Sequence, residues 1–276
     1  MLPLNGVEAE RAWLRLLPDA DFRLPMNLRA GDAVRFWSRS DEAATVLAER
    51  ARWIAETPQR HLVFLDQAGE AVREAIAWLG HVTDTPFADA AAAGGGVEPD
   101  WVLLSGDAER GFPVLGGAVV FPSGWGLDEK LGHPLAEVHR PVPGLEPAIG
   151  GSIATFLQRL APEAEWERDN WGLSADCSLN HHPAQSIVRM TAAATLGTTW
   201  MRLERQFLIR LPRTRTILFG IRVTNHRLDH LVNEFPVLVP RLIRLLTTLP
   251  DSMAAYKGLQ AARGPLAEQL RLHGQK

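Results

Sequence analysis

His139 is the residue of this sequence whose type and surroundings most directly indicate chemistry. It ends the segment LAEVH, which Pro134 is suited to begin and the following PVPG to terminate. In a helix, Leu135 lies four residues before His139 and shares its face, so the imidazole should lean toward an apolar core. A neutral histidine held rigidly in such a place suits an axial ligand of heme iron. A core histidine hydrogen-bonded to the backbone fits the same spacing, so both interpretations stay open.

Other residues that could bind a metal or carry out catalysis have weaker support from the sequence. Cys177 is the only cysteine among the 276 residues, so an internal disulfide is excluded and a cysteine set for an iron–sulfur cluster is lacking. As a thiolate, Cys177 would be the alternative iron ligand, but its segment SADCSLNHH favours an inert, partly buried thiol. The adjacent histidines His181 and His182 are too few for a zinc site. No phosphate-binding or dinucleotide-binding loop is present.

The elements that must position these residues change character twice along the chain. Periodic segments such as SDEAATVLAERARWIAETP, with Ser40 as the expected N-cap, predict a helical part over about residues 1–98. The run ADAAAAGGGVEPD predicts a small-residue, mobile loop. Strand-like runs predict a sheet core over about 99–225, and a helical part returns over about 226–276. The prediction is a single α+β domain with a central antiparallel sheet between N- and C-terminal helices.

The clearest part of that sheet is a hairpin. TTWMRLERQFLIRL and TRTILFGIRVT flank a short turn containing PR. Because side chains alternate along a strand, the apolar residues from Met201 to Leu211 share one face. Arg205 interrupts that apolar face, and Glu204 lies on the other.

Composition narrows the classes of partner. The net charge is -3, and the arginines are spread along the chain, so neither nucleic acid nor an anionic membrane is an expected partner. No apolar run is long enough to cross a bilayer, and no cleavable leader is recognisable. The cytoplasm is the expected location.

Three ordered blocks carry a resemblance to a known family. They are FPSGWGLDEKLGHPLAEVHRPVPG, then WERDNWGL, then MRLERQFLIRLPRTRTILFGIR. Together with the opening FRLPMNLRAGD, they resemble the heme-dependent oxidative N-demethylases, whose alpha subunits are similar to dimethylamine monooxygenase components. The resemblance covers most of residues 20–225. Gly124 and Gly172 depart from it, because the family typically carries larger residues there, and this leaves dimethylamine itself open as the substrate.

The resemblance implies a PAS-like sheet holding heme b, with His139 as the proximal ligand. It implies oxidation of a small amine by O2 with release of formaldehyde, using electrons from flavin and iron–sulfur partner subunits. The missing cysteine set agrees with an external electron supply.

Roles for further residues follow from the same resemblance. Heme propionates need cationic partners, for which Arg205 is the first candidate and Arg222 and Arg215 are weaker ones. Trp171 is expected to line the pocket or to belong to the core. Glu204 is expected either to bind the substrate ammonium or to form a cross-strand ion pair. Arg205 and Glu204 lie on opposite faces, so both cannot face the heme.

Two other classes of function remain as alternatives. A heme-binding PAS-type sensor of gas or redox state would bind diatomic ligands without consuming amine, and a scaffolding subunit would bind no heme. Heme content and amine turnover distinguish the three classes, whereas the fold does not.

Overall fold

The computed structural model describes residues 6–274 and contains a seven-stranded antiparallel sheet flanked by helices. The strands are β1 (Arg29–Ala30), β2 (Leu62–Phe64), β3 (Asp100–Leu104), β4 (Val114–Ala118), β5 (Trp166–Ser174), β6 (Trp200–Arg210) and β7 (Ile217–Arg227). Their order across the sheet is β1-β5-β6-β7-β3-β4-β2, and every neighbouring pair is antiparallel. The predicted mixed architecture with a central antiparallel sheet is therefore confirmed.

Helices precede, interrupt and follow the strands. The first six are α1 (Gly6–Leu16), α2 (Ala33–Trp37), α3 (Ala43–Glu56), α4 (Pro58–His61), α5 (Gly69–Val82) and α6 (Ala90–Gly96). The others are α7 (Leu135–His139), α8 (Gly151–Arg159), α9 (Leu228–Glu234), α10 (Leu238–Thr248), α11 (Asp251–Tyr256) and α12 (Arg263–His273). Within residues 6–274, none of the helices has the length and apolar character needed to cross a membrane.

The predicted hairpin of β6 and β7 is confirmed, and it lies in the middle of the sheet. Arg205 pairs with Arg222 across the hairpin, and Glu204 pairs with Val223. Alternate residues of β6 lie in different apolar clusters, because successive side chains point to opposite faces.

The two faces of the sheet are covered by different helices. We call the side that carries Leu203, Arg205 and Phe207 the bundle face. It packs against α1, α10 and α12 near Leu203, and against α2, α5 and α6 near Phe207. We call the side that carries Glu204 and Leu208 the α7 face. There Leu208 shares a cluster with α7 and α8.

The small-residue segment around residue 92 corrects the prediction of a loop. Helix α6 occupies it, because the Asp89 side chain accepts a hydrogen bond from the Ala92 backbone N–H and the following alanines favour helix. Gly94 lets this helix approach the sheet closely: a Cβ there would lie 2.9 Å from the Cβ of Ala118. Because glycine has no Cβ, the backbone of α6 can pack directly against the strand that carries Ala118.

Two boundary predictions are also corrected. Helix α3 begins at Ala43, and Glu42 is its N-cap residue. Ser40 instead donates its hydroxyl to Glu98 at 2.7 Å. The strand-like run GGAVVFPS predicts a strand from Gly116, but β4 begins two residues earlier, at Val114, and ends at Ala118.

A buried ion pair joins α3 to the sheet. Arg50 and Asp100 are 0% and 1% exposed, and Arg50 Nη1 lies 2.5 Å from Asp100 Oδ1. The same carboxylate accepts hydrogen bonds from the backbone N–H groups of Val120 and Phe121, at 2.7 and 2.9 Å. Asp100 therefore holds both helix α3, through Arg50, and the segment after β4, through the backbone of Val120 and Phe121.

His226, at the end of β7, makes the folded protein sensitive to acid. Its ring stands edge-on to Trp13 with 5.0 Å between centroids, and Nε2 lies 3.0 Å from Thr224 Oγ1. Burial lowers the pKa of His226 below its ordinary value of 6.5. The unfolded chain therefore binds a proton at a pH where the folded chain does not, so folding is disfavoured as the pH falls below about 6.5 and unaffected above it.

We expect the His226→Leu variant to lose less stability than the wild type between about pH 7.5 and about pH 5.5. Urea unfolding at the two pH values measures the change. His81→Leu, a substitution at an exposed histidine of α5, is the control. Equal acid sensitivity in wild type and His226→Leu would contradict the assignment.

Candidate functional site

His139 lies at the end of α7, where the helix meets the α7 face of the sheet. Leu135 and Val138 of the same helix pack against the cluster that contains Leu208, and the His139 side chain is half-buried. Burial, and next the positive charge of Arg168, lower the pKa of His139 to about 4. The ring is therefore neutral at physiological pH. No residue in 6–274 forms a hydrogen bond with either ring nitrogen, so a nitrogen lone pair is available for a ligand.

Glu204 projects from the same face of the sheet. In the register of β5 and β6, Asn170 lies opposite Glu204 and Arg168 lies opposite Gln206, so the four side chains share this face. Glu204 Oε2 accepts hydrogen bonds from Asn170 Nδ2 at 3.2 Å and from Gln206 Nε2 at 3.0 Å. No described residue donates to Oε1. The two amides therefore orient the carboxylate and leave one oxygen able to accept.

Arg168 is a site residue that the sequence alone does not single out. Its Nε atom is buried without a hydrogen-bond partner, and no ion pair or hydrogen bond of its guanidinium is formed among the described residues. Burial lowers the pKa of Arg168, and the charges of Glu204 and Asp169 offset part of that effect. The signal that could have found Arg168 is the alternation of Trp166, Arg168 and Asn170 in WERDNWGL, which is a strand in the structure.

Arg205 lies on the bundle face, as predicted, and has a protein partner there. Its Nη2 atom is 3.3 Å from Oε2 of Glu167, whose carboxylate is fully buried. Arg29 and Arg35 bind the same carboxylate at 3.0 and 3.2 Å. Arg205 and these two arginines also line a cavity of about 730 Å³ between the sheet and α1. Arg205 therefore has a carboxylate partner within the protein, which it shares with two other arginines.

Arg222 and Arg215 are placed differently from one another. Arg222 is buried, with Nη1 2.9 Å from Glu98 Oε2 and further bonds from Nε and Nη2 to the Phe36 and Ser38 carbonyls. Arg215 is exposed in the turn between β6 and β7, and its carbonyl accepts a bond from Arg210 Nη1 at 2.9 Å.

Trp171 lies in the core of the bundle face. It belongs to the cluster that contains Leu203, and Lys257 Nζ stands 4.4 Å from the centroid of its ring. The same ammonium donates to the Trp171 carbonyl at 2.7 Å, and burial lowers the pKa of Lys257 to about 8. Cys177 is exposed, which corrects the expectation of a partly buried thiol.

The structure therefore divides the predicted residues between the two faces. His139 and Glu204 both lie on the α7 face, and Arg168 interacts electrostatically with each of them. Arg205, Arg222 and Trp171 lie on the bundle face, because paired residues of an antiparallel sheet point the same way. A single ligand bound against one face contacts one group or the other.

The arrangement on the α7 face combines a neutral imidazole, an oriented carboxylate and an unpaired guanidinium next to an apolar cluster. A neutral imidazole can bind a metal ion, and the two charged groups can bind a small ionic molecule. The comparison with protein families matches residues 81–267, which include His139, Arg168 and Glu204, to one family model. That match spans more than half of the chain, and the resemblance of its motifs is confirmed. The chain belongs to the family described as haem-dependent oxidative N-demethylase, alpha subunit-like.

Proposed function

We propose that this protein binds heme b against the α7 face and oxidises an N-methyl group of a small amine with O2. The observation that carries the proposal is the neutral His139 ring, free of protein hydrogen bonds, on the same face as the open oxygen of Glu204. The family supports the cofactor and the class of reaction. His139 is the residue that would ligate the iron.

The residues of the α7 face fit heme in three respects. An unprotonated imidazole is the form that binds iron, and the lowered pKa of His139 keeps it in that form. The apolar cluster formed by Val138, Leu208 and their neighbours suits a porphyrin ring. Arg168, with its buried unpartnered Nε, suits a group that carries carboxylates.

Glu204 has the task of holding the amine. At neutral pH a small amine is an ammonium ion, and Glu204 Oε1 accepts a hydrogen bond from it, while Asn170 and Gln206 keep the carboxylate in place. The bound heme supplies the activation of O2 and the oxidation of the methyl carbon. Orientation of the methyl group by Glu204 is the contribution of this chain, since a fixed approach geometry lowers the barrier to reaction.

The order of the strands supports the PAS-like interpretation. Strands β4-β3-β7-β6-β5 lie side by side, and α7 and α8 are inserted between β4 and β5 in the chain. An antiparallel sheet covered on one face by inserted helices is the arrangement that a PAS-like sheet holding a cofactor would need. His139 is carried by one of those inserted helices.

Electrons are proposed to come from flavin and iron–sulfur partner subunits. A single cysteine does not supply the thiolate set of an iron–sulfur cluster, and the family is described as alpha subunit-like. The partners and the amine would meet this chain as a soluble assembly in the cytoplasm.

We expect the Glu204→Gln variant to bind the amine about 10- to 100-fold more weakly, because it loses a charge-assisted hydrogen bond, and to keep its heme. Heme-loaded protein is mixed with dimethylamine, O2 and an external reductant, and formaldehyde is measured over a range of amine concentrations. Glu129→Gln, at an exposed position, is the control. If formaldehyde formation depends on amine concentration in Glu204→Gln as it does in the wild type, the carboxylate only links the strands. If the wild type binds heme but consumes no amine, the alternative function as a heme-binding sensor is favoured.

A further inference from the structure

Arg168 is a half-buried cation with no bonding partner among the described residues. It projects from β5 onto the α7 face, opposite Gln206, and its charge acts on His139. Its Nε atom is enclosed, and no described residue accepts a hydrogen bond from the guanidinium. Other buried arginines of this protein are bonded: Arg202 donates to the Ser123 hydroxyl and to four backbone carbonyls, and Arg210 to three carbonyls.

A guanidinium in this state is costly to the folded protein. Removing a charge from water without compensating bonds disfavours folding. Such an arginine is tolerated when a bound ligand supplies the missing hydrogen-bond acceptors. The planar guanidinium matches a carboxylate, to which it can donate two parallel hydrogen bonds.

The acidic residues nearest to Arg168 are already engaged. Asp169 lies on the bundle face, where Arg29 binds both of its oxygens at 2.6 and 3.0 Å. Glu204 receives two amide donors, and no ion pair joins it to Arg168 within 4.0 Å. In the strand register Arg168 and Glu204 are diagonal neighbours on one face, and such strand positions are about 7 to 8 Å apart. Arg168 and Glu204 therefore present opposite charges side by side to whatever binds there.

We propose that Arg168 binds a carboxylate of the ligand held on the α7 face. This inference rests on the proposed function, which places that ligand there. Two sources have this chemistry: a propionate of the heme, or the carboxylate of the substrate. In the second case the substrate class is an N-methylated amino acid, whose ammonium pairs with Glu204 while its carboxylate pairs with Arg168.

The two sources are separated by pairs of probes in which one member carries free carboxylate and the other carries none. In the first arm, hemin and hemin dimethyl ester are titrated into heme-free protein and followed by the Soret band. In the second arm, hemin-loaded protein is titrated with N,N-dimethylglycine and with dimethylamine. Both arms use wild type, Arg168→Gln, Arg168→Lys and the control Arg140→Gln, which removes an arginine that is 77% exposed beside α7.

If Arg168 binds a propionate, the wild type should prefer hemin to its dimethyl ester by about 10- to 100-fold, and Arg168→Gln should lose that preference. If it binds the substrate, Arg168→Gln should lose about 10- to 100-fold in affinity for N,N-dimethylglycine and none for dimethylamine. Arg140→Gln should behave as the wild type does, and Arg168→Lys should keep part of the effect.

The proposal is overturned if Arg168→Gln changes neither preference. It is also overturned if Arg168→Gln and Arg168→Lys both fail to fold by circular dichroism, because the guanidinium is then structural. Failure of the proposed function looks different, since the wild type then shows no Soret band with hemin. In that case calorimetric titration of the wild type and Arg168→Gln with N,N-dimethylglycine decides the inference, and absence of binding to the wild type overturns it.

Discussion

Replacement of His139 by alanine is expected to reduce heme affinity by more than about 100-fold, because changes outside the first coordination sphere already weaken metal binding by 10- to 100-fold. The variant should keep its fold, since the side chain is half-buried and forms no hydrogen bond in residues 6–274. Hemin titration of the heme-free protein measures the affinity. The spectrum of the reduced carbon monoxide complex shows whether the wild-type ligand is a histidine.

His133→Ala is the matched control for this experiment. His133 lies six residues earlier, is 47% exposed and bonds to Glu137 Oε2 at 3.0 Å. Its loss should leave the hemin titration unchanged. An unaltered heme spectrum in His139→Ala would refute the ligand assignment, and a thiolate-type carbonyl band in the wild type would transfer it to Cys177.

Replacement of Arg50 by methionine is expected to destabilise the protein by about 3 to 5 kcal/mol, because it leaves the buried carboxylate of Asp100 without its counter-charge. Arg50 also donates from Nε to the Gly94 carbonyl at 2.9 Å, so the loss separates α3 from α6 as well as from the sheet. The free energy of unfolding in urea measures the effect.

Arg52→Met, in the same helix, is the control. Arg52 forms an exposed ion pair with Glu56 at 3.0 Å, and such pairs contribute at most about 1 kcal/mol. The double variant Arg50→Met/Asp100→Asn should recover part of the stability, since the neutral amide needs no counter-charge. A loss below about 1 kcal/mol in Arg50→Met would contradict the importance given to this pair.

Local pattern was enough to predict the central hairpin and the two faces of β6. The alternation that sets Arg205 apart from Glu204 depends only on the period of two of an extended chain, and the observed register agrees with it. The position of His139 at the end of a short helix is likewise local, because Pro134 and the following prolines bound that helix. Family membership was also readable, since its motifs are contiguous segments.

Segments rich in small residues or in mixed polar residues did not allow their secondary structure to be predicted from the sequence. Helix α6 was not predicted, because glycines are unfavourable in a helix, whereas the Asp89 cap, the alanines and the close contact between Gly94 and the sheet favour it. Strand β5 was not identified either, since WERDNWGL lacks the apolar alternation of a half-buried strand. Without β5, the placement of Arg168 opposite Gln206 could not be foreseen.

The sequence by itself identified His139 and Glu204 as residues that could do chemistry, and the tertiary structure added Arg168 and decided which charged residues have partners. Arg222 and Arg168 are both arginines on strands, and nothing in their neighbouring residues tells them apart. Glu98, the partner of Arg222, is 124 residues away in the chain, whereas no described residue bonds to Arg168. A buried charge is neutralised by whichever segment packs against it, and that packing follows from the whole fold.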